Sequence, residues 1–313
     1  MARAATDEPA ELEFALRAQG AYRVDALFTP PDGPQATLAR DEPVSLDLAA
    51  LVAHMPDPVA YGRALAAQLF AGQALATALA QARAYAHGAG CPLRVRLRLD
   101  HADPALCALR WETLCDSPAG NPLALNEAVR LVRSLDSVSL APAPTPERRD
   151  LSAVVAVAAP PGLSAYGLAP IDAEAEVALA RHALGSIPAV VLGRAKGAAA
   201  PLATLDAIAA ALRAGPALLY LVCHGALLDG ASYLWLENAA GGAERVPADD
   251  LALAIEGLAR RPLLVILAAC ESGAASAAAA PRLAQVGVPA VIGMQGPLRQ
   301  DDARHSLLAL LSE

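Results

Sequence analysis

Two rhythms of apolar positions divide the chain. From about residue 150, short apolar runs alternate with alanine-rich helical stretches. The runs are SAVVAVAA (152–159), PAVVLG (188–193), ALLYLVC (217–223), PLLVILAAC (262–270) and PAVIGM (289–294). They are too short for helices and apolar on both faces, the pattern of parallel strands covered on both sides. Between them lie DAEAEVALARHAL, PLATLDAIAAALRAG, ADDLALAIEGLARR and PRLAQVG, each opening near an Asp or Pro start signal. Such repetition predicts an α/β fold with a doubly wound, mostly parallel sheet. One connection is longer: SYLWLENAAGGAERVP predicts two short strands about a Gly-Gly turn, a β-hairpin inserted before the next helix.

The first 140 residues follow another rule. ELEFALRA and AYRVDALFT predict neighbouring strands, followed by the turn-rich PPDGPQ. Residues 57–88 are helical in pattern, with a break expected near Gly62 or Gly72. PLRVRLRLD and AVRLVRSLD predict strands whose alternating charges mark one solvated face. The segment APAPTPERRD (141–150) is proline-rich and polar. It places a boundary between an N-terminal α+β region, residues 1–145, and an α/β core, residues 146–313.

Composition narrows the classes. Of 313 residues, 55% are hydrophobic and 18% charged, so core material is plentiful. The net charge of −8 argues against a phosphate-tracking surface, and no direct nucleic-acid partner is expected. No apolar run approaches the ~20 residues that span a bilayer, and the start, MARAATDEPAELEF, has no apolar signal region. The five cysteines (91, 107, 115, 223, 270) form no C-x-x-C pair and have no histidine at zinc spacing. They read as reduced thiols of a cytoplasmic protein, with no metal and no cofactor expected.

Two of the strands deliver reactive side chains: LLYLVCHG ends on His224 and LLVILAACESG on Cys270. In parallel α/β sheets, chemistry gathers beyond the carboxyl ends of strands. A thiol needs a base because only the thiolate is a good nucleophile, and an imidazole in reach supplies it, then protonates the leaving amine. Gly225 lets a carbonyl approach the backbone, and its N–H with that of Cys270 makes a candidate oxyanion hole. The plainer alternative is that a cysteine ending a buried strand is an inert small hydrophobe and the histidine a capped polar residue. Cys223, beside His224, faces the opposite side and reads as core.

These segments resemble a known family. VCHGALLDGASYLWLEN, VPADDLALAI, PLLVILAACESG and GVPAVIGMQGPL are similar to the CHAT domain, a prokaryote-rich branch of the caspase–separase clan of cysteine peptidases. LRVRLRLD, ALRWETLCD and PLALNEAVRLVRSL resemble the segment that precedes the protease core in that family. The resemblance implies a caspase-like fold and peptide hydrolysis by thiol attack, with His224 as general base and acid and Cys270 as nucleophile. It also implies one protein substrate, an activating partner or additional effector domain, and a place in prokaryotic defence or regulated cell death.

Three departures from the family pattern stand out. Ala268 replaces the usual Asn two residues before the cysteine, and basic-specific relatives place an Asp there. The stretch GAASAAAAP (273–281) is expected to separate Cys270 from a helix starting at Pro281, as a loop that orders on activation and denies the thiol a helix N-terminus. The chain stops at SLLALLSE, where many relatives continue. Asp229, Glu271, Met294 and Gln295 are candidate substrate-pocket residues, each alternatively a solvated loop charge or a strand-end packing residue. Trp111 reads as an interdomain packing residue over a substrate contact, and Tyr233 and Trp235 either shape a wall beside His224 or cover the sheet. His101, His182 and His305 look like surface histidines.

Two rivals remain at this level. One keeps the fold and drops the chemistry, leaving a non-catalytic regulatory or binding module. The other, an amidotransferase-like thiol enzyme, requires a Gly-x-Cys-x-Gly elbow that is absent here.

Overall fold

The computed structural model describes residues 8–100, 102–135, 146–194, 201–229, 231–270 and 273–293. Glu271, Met294, Gln295, His101, His305 and the first half of the proline-rich segment lie outside them. Contacts divide the chain into two compact units, residues 1–136 and 137–313.

The first unit is a five-stranded sheet with helices on one face. Its strands are β1 (Ala10–Gln19), β2 (Ala21–Thr29), β3 (Ala36–Val44), β4 (Leu93–Leu99) and β5 (Val129–Leu135), in the order β3-β2-β1-β4-β5. Along β4, Leu93, Val95, Leu97 and Leu99 are buried, while Arg94, Arg96 and Arg98 face outward. There Arg96 and Arg98 meet Glu11 and Glu13 of β1 at 3.0 and 2.8 Å. The helices are α1 (Leu48–Val52), α2 (Pro58–Leu69), α3 (Gln73–Ala89) and α4 (Pro104–Ala108). Asp57 caps α2 by accepting from the Val59 and Ala60 N–H groups. The expected break falls at Gly72, which caps α3, whereas Gly62 sits inside α2. Trp111 is fully buried within this unit's own core, with its indole N–H donating to the Leu106 carbonyl at 2.8 Å. It is a core residue of this unit, which corrects its reading as an interdomain contact.

The second unit is a mixed sheet. Strands β6 (Ala153–Val157), β7 (Ala189–Leu192), β8 (Leu218–Leu228), β11 (Leu264–Cys270) and β12 (Ala290–Gly293) pair in parallel as β7-β6-β8-β11-β12. Strand β9 (Ala231–Glu237) adds antiparallel to β8, and β10 (Ala243–Pro247) antiparallel to β9. Helix α5 (Ala173–Leu184) covers one face through Val177, Ala180 and Leu184. Helices α6 (Leu205–Leu212), α7 (Ala248–Glu256) and α8 (Gly273–Gln285) cover the other. Among the described residues, no helix is long and apolar enough to cross a membrane.

Two features of this unit depart from the sequence expectation. Strand β8 does not stop at His224; it runs four residues further and turns back through Asp229 to pair with β9, Leu228 opposite Ala231. Asp229 has φ +50°, a left-handed conformation that the short polar Asp tolerates. The alanine-rich stretch after Cys270 is helix, not loop. Alanine has the highest helix propensity, and a run of it carries α8 through Pro281 instead of starting there.

Candidate functional site

His224 lies where the neighbour of β8 changes. On one edge, β6 pairs with Leu218–Val222 and then ends, and β9 takes over from His224 onward. On the other edge, β11 pairs with β8 through its last residue, and Cys270 is the register partner of His224. The pairs beneath are Val222 with Ala268 and Tyr220 with Ile266, all four buried in the cluster under α5. Cys223 is buried in the cluster on the opposite face. The Cys270 side chain lies outside the described atoms.

The imidazole is 3% exposed. Its Nε2 stands 2.7 Å from the carbonyl oxygen of Ala169, in the segment joining β6 to α5. A carbonyl only accepts, so Nε2 carries the hydrogen and, in the neutral ring, Nδ1 bears the lone pair. Nδ1 is itself buried without a hydrogen-bond partner among the described residues. A buried acceptor left empty is costly, which makes this nitrogen the natural place for a proton donor to sit.

Ala169 precedes Pro170, which disfavours a helical conformation at residue 169 and keeps the chain extended there. The segment is fixed at both ends. Tyr166 packs on Trp235, the β9 register partner of His224, with ring centroids 4.4 Å apart. Glu176 in the first turn of α5, itself buried, accepts from the Tyr220 hydroxyl at 3.3 Å.

A second buried carboxylate braces the strand ends. Glu237, fully buried where β9 meets the end of β6, accepts from the Ala203 N–H at 2.6 Å and lies 3.4 Å from the Arg194 Nε. Burial pushes its pKa above the usual carboxylate range, against the lowering effects of the Ala203 N–H and Arg194. Arg194 also donates to the Gly241 carbonyl in the β9–β10 turn, tying the chain after β7 to the hairpin.

The remaining candidates distribute as follows. Gly225 lies within β8 opposite Leu234 and is buried. Asp229, exposed at the hairpin tip, is five residues past His224, about 16 Å along the strand. The structure does not bring it to the imidazole, because β8 continues where a loop was expected. Helix α8 begins three residues after Cys270, so the expected insertion between thiol and helix is corrected. Among the described residues, no group of three or more His, Cys, Asp or Glu is arranged to hold a metal ion.

Sequence reasoning missed the Ala169 carbonyl, Tyr166, Glu176 and Glu237. The Ala-Pro step at 169–170 was a usable signal, since it marks extended backbone between a strand and a helix cap. A main-chain acceptor otherwise leaves no trace in residue type.

A mixed α/β sheet with a carbonyl-oriented histidine in register with a cysteine defines a class of candidate thiol–imidazole proteins. The family model described as CHAT domain matches residues 59–309, and the chain belongs to that family. It is a caspase-like family that includes peptidases. No curated protein matches the chain.

Proposed function

We propose that the chain is a cysteine endopeptidase in which His224 and Cys270 form the dyad. The observation that supports this most directly is the imidazole itself. Its Nε2–H is committed to Ala169, its Nδ1 is buried without a partner among the described residues, and its register partner is a cysteine. Register partners of a parallel pair share a face of the sheet, which supports pairing the thiol with that nitrogen. The fold in this reading is the caspase-like doubly wound core with its inserted hairpin.

In the chemical step, Nδ1 takes the thiol proton and the thiolate attacks the scissile carbonyl carbon. The carbonyl π pair moves onto oxygen, where the N–H groups of Gly225 and Cys270 stabilise it. Collapse expels the amine, which takes the proton from the imidazolium and leaves a thioester. Water, deprotonated by Nδ1, then releases the carboxylic acid and the thiol. The N-terminus of α8, three residues past Cys270, favours the thiolate electrostatically.

An imidazole only 3% exposed fits an enzyme that opens on command. We place the activity under control of an activating partner or further domain, with one partner protein as substrate, in prokaryotic defence or regulated cell death. A peptidyl acyloxymethyl ketone library tests the assignment. Stoichiometric labelling at Cys270, lost in His224→Ala, is expected. Peptide cleavage that persists in Cys270→Ala would overturn it. A non-catalytic binding module predicts no labelling with both residues intact.

A further inference from the structure

We infer that Tyr166 and Trp235 are positioning residues for the general base: their ring contact clamps the β6–α5 segment across the sheet, so that the Ala169 carbonyl holds His224 in one tautomer. This role deepens the proposed peptidase activity and presumes that His224 is its base.

Four observations converge on the ring contact. Trp235 is the antiparallel register partner of His224, so the two share a face of the sheet, and its neighbours Leu234 and Leu236 are fully buried against the helices of the other face. The indole is thereby fixed beside the imidazole by a strand that cannot rotate. Tyr166 is 57% exposed, an unusual position for a large aromatic, yet its ring lies 4.4 Å from the indole at an interplanar angle of 43°. That geometry is an attractive aromatic contact.

Tyr166 also stands on a stiff base. It ends the 3-10 turn Leu163–Tyr166, flanked by Gly162 and Gly167, with φ of +84° and +72°. The turn closes on itself, with Ala165 N–H donating to Gly162, Gly167 to Ser164 and Leu168 to Leu163. Its left-handed glycines are positions that other residues rarely adopt. A turn satisfied internally needs no backbone partner on the sheet, so side chains must dock it.

Ala169 follows Tyr166 by three residues, and Pro170 keeps residue 169 itself extended. The far end is docked by Glu176 on Tyr220, four residues before His224 on the same strand. The carbonyl that touches the imidazole therefore hangs between docked side chains, buried Leu163 and the Tyr166 ring before it and Ile171 and Glu176 after it, and the ring contact is the one made to the imidazole's own register partner. Releasing the rings removes that contact and lets the Ala169 carbonyl drift off Nε2. With that acceptor gone, the neutral ring has no reason to keep its hydrogen on Nε2.

The test uses the full chain with 15N-labelled histidine, the His224 signals being assigned by their absence in His224→Ala. With the ring neutral, wild-type His224 is expected as the Nε2–H tautomer alone. Tyr166→Ala and Trp235→Leu are expected to give a mixture of tautomers, and Tyr166→Phe the wild-type pattern. The pH midpoint for alkylation of Cys270 is expected to rise in the first two variants and not in the third. Labelling by the peptidyl electrophile should fall about tenfold in the same two. If Tyr166→Ala fails to fold, Trp235→Leu supplies the same readouts. A single Nε2–H tautomer and an unmoved alkylation midpoint in every folded clamp variant would overturn the role. The outcomes separate the two levels: a tautomer that responds in a protein that never labels leaves the clamp standing without the peptidase. Labelling with an unresponsive tautomer does the reverse.

Discussion

His224 and Cys270 are register partners on adjoining parallel strands, and the pair directly beneath them, Val222 and Ala268, is sealed in apolar packing. The candidate chemistry thus occupies the last rung of a ladder whose lower rungs are core. That arrangement gives the site a floor that cannot shift without disturbing the sheet. Movement is left to the segments that cross above it.

The rung position predicts a single fast thiol. Cys91, Cys107, Cys115 and Cys223 are buried, and burial pushes the Cys107 and Cys115 thiols above their ordinary pKa. A raised pKa leaves less thiolate at any given pH, so these groups react slowly in the folded protein. Native alkylation followed by peptide mass mapping should give one rapid adduct, on Cys270, slowed by His224→Ala. The other four should appear only after denaturation. A rapid adduct elsewhere would remove Cys270 as nucleophile.

Glu237 predicts a pH-dependent stability with a definite sign. Its native pKa is raised from 4.5, chiefly by burial. Between that value and the raised one, the native state binds more protons than the unfolded chain, so stability falls as pH rises through this window. Below the window both states are protonated and the penalty vanishes. Glu237→Gln should flatten the slope while its amide oxygen still accepts from Ala203. Glu237→Ala leaves that buried N–H empty and should cost about 1–3 kcal/mol. Denaturation midpoints across a pH series check both, and an unchanged slope in Glu237→Gln would refute the assignment.

Much of this was legible in the apolar rhythm, and the exceptions have physical causes. The five parallel strands announced themselves because burial on both faces demands unbroken apolar runs. The return of β8 into β9 was hidden because LLYLVCHGALL reads as a strand that meets a histidine and stops, and Asp229 at its tip was the overlooked turn signal. Helix α8 was hidden by Pro281, which is a start signal in most contexts but sits in the helix interior here. The acceptor on His224 was overlooked because it is a main-chain carbonyl, marked in the sequence only by the Ala-Pro step that keeps residue 169 extended.

Gly62 predicts a reversal of the usual helix rule. A glycine-to-alanine change inside a helix ordinarily stabilises by about 0.5–1 kcal/mol. A Cβ at position 62 would fall onto the Thr113 carbonyl oxygen, and backbone cannot turn aside as a side chain can. The Gly62 carbonyl also accepts from the Cys115 N–H, which fixes the close approach. Gly62→Ala should therefore destabilise by about 1–3 kcal/mol, an overpacking cost. Thermal unfolding decides the sign, and a stabilised variant would mean that α2 does not pack there.

Ala268 decides whether basic specificity can be restored by one substitution. A carboxylate two residues before the cysteine is the device by which basic-specific relatives are expected to hold a cationic side chain. In this chain position 268 is 4% exposed, in register with Val222 and in the same cluster as Ile266 and Val155. An aspartate introduced there is a buried charge without a partner, costing about 3–5 kcal/mol unless it takes a proton. Ala268→Asp should lower the denaturation midpoint, more at neutral than at acidic pH, because protonation relieves the cost. It should not confer labelling by electrophiles carrying Arg or Lys at the position before the scissile bond. If the variant kept its stability and gained that labelling, residue 268 would line an open pocket, and the floor beneath His224 and Cys270 would be a wall of the cleft instead.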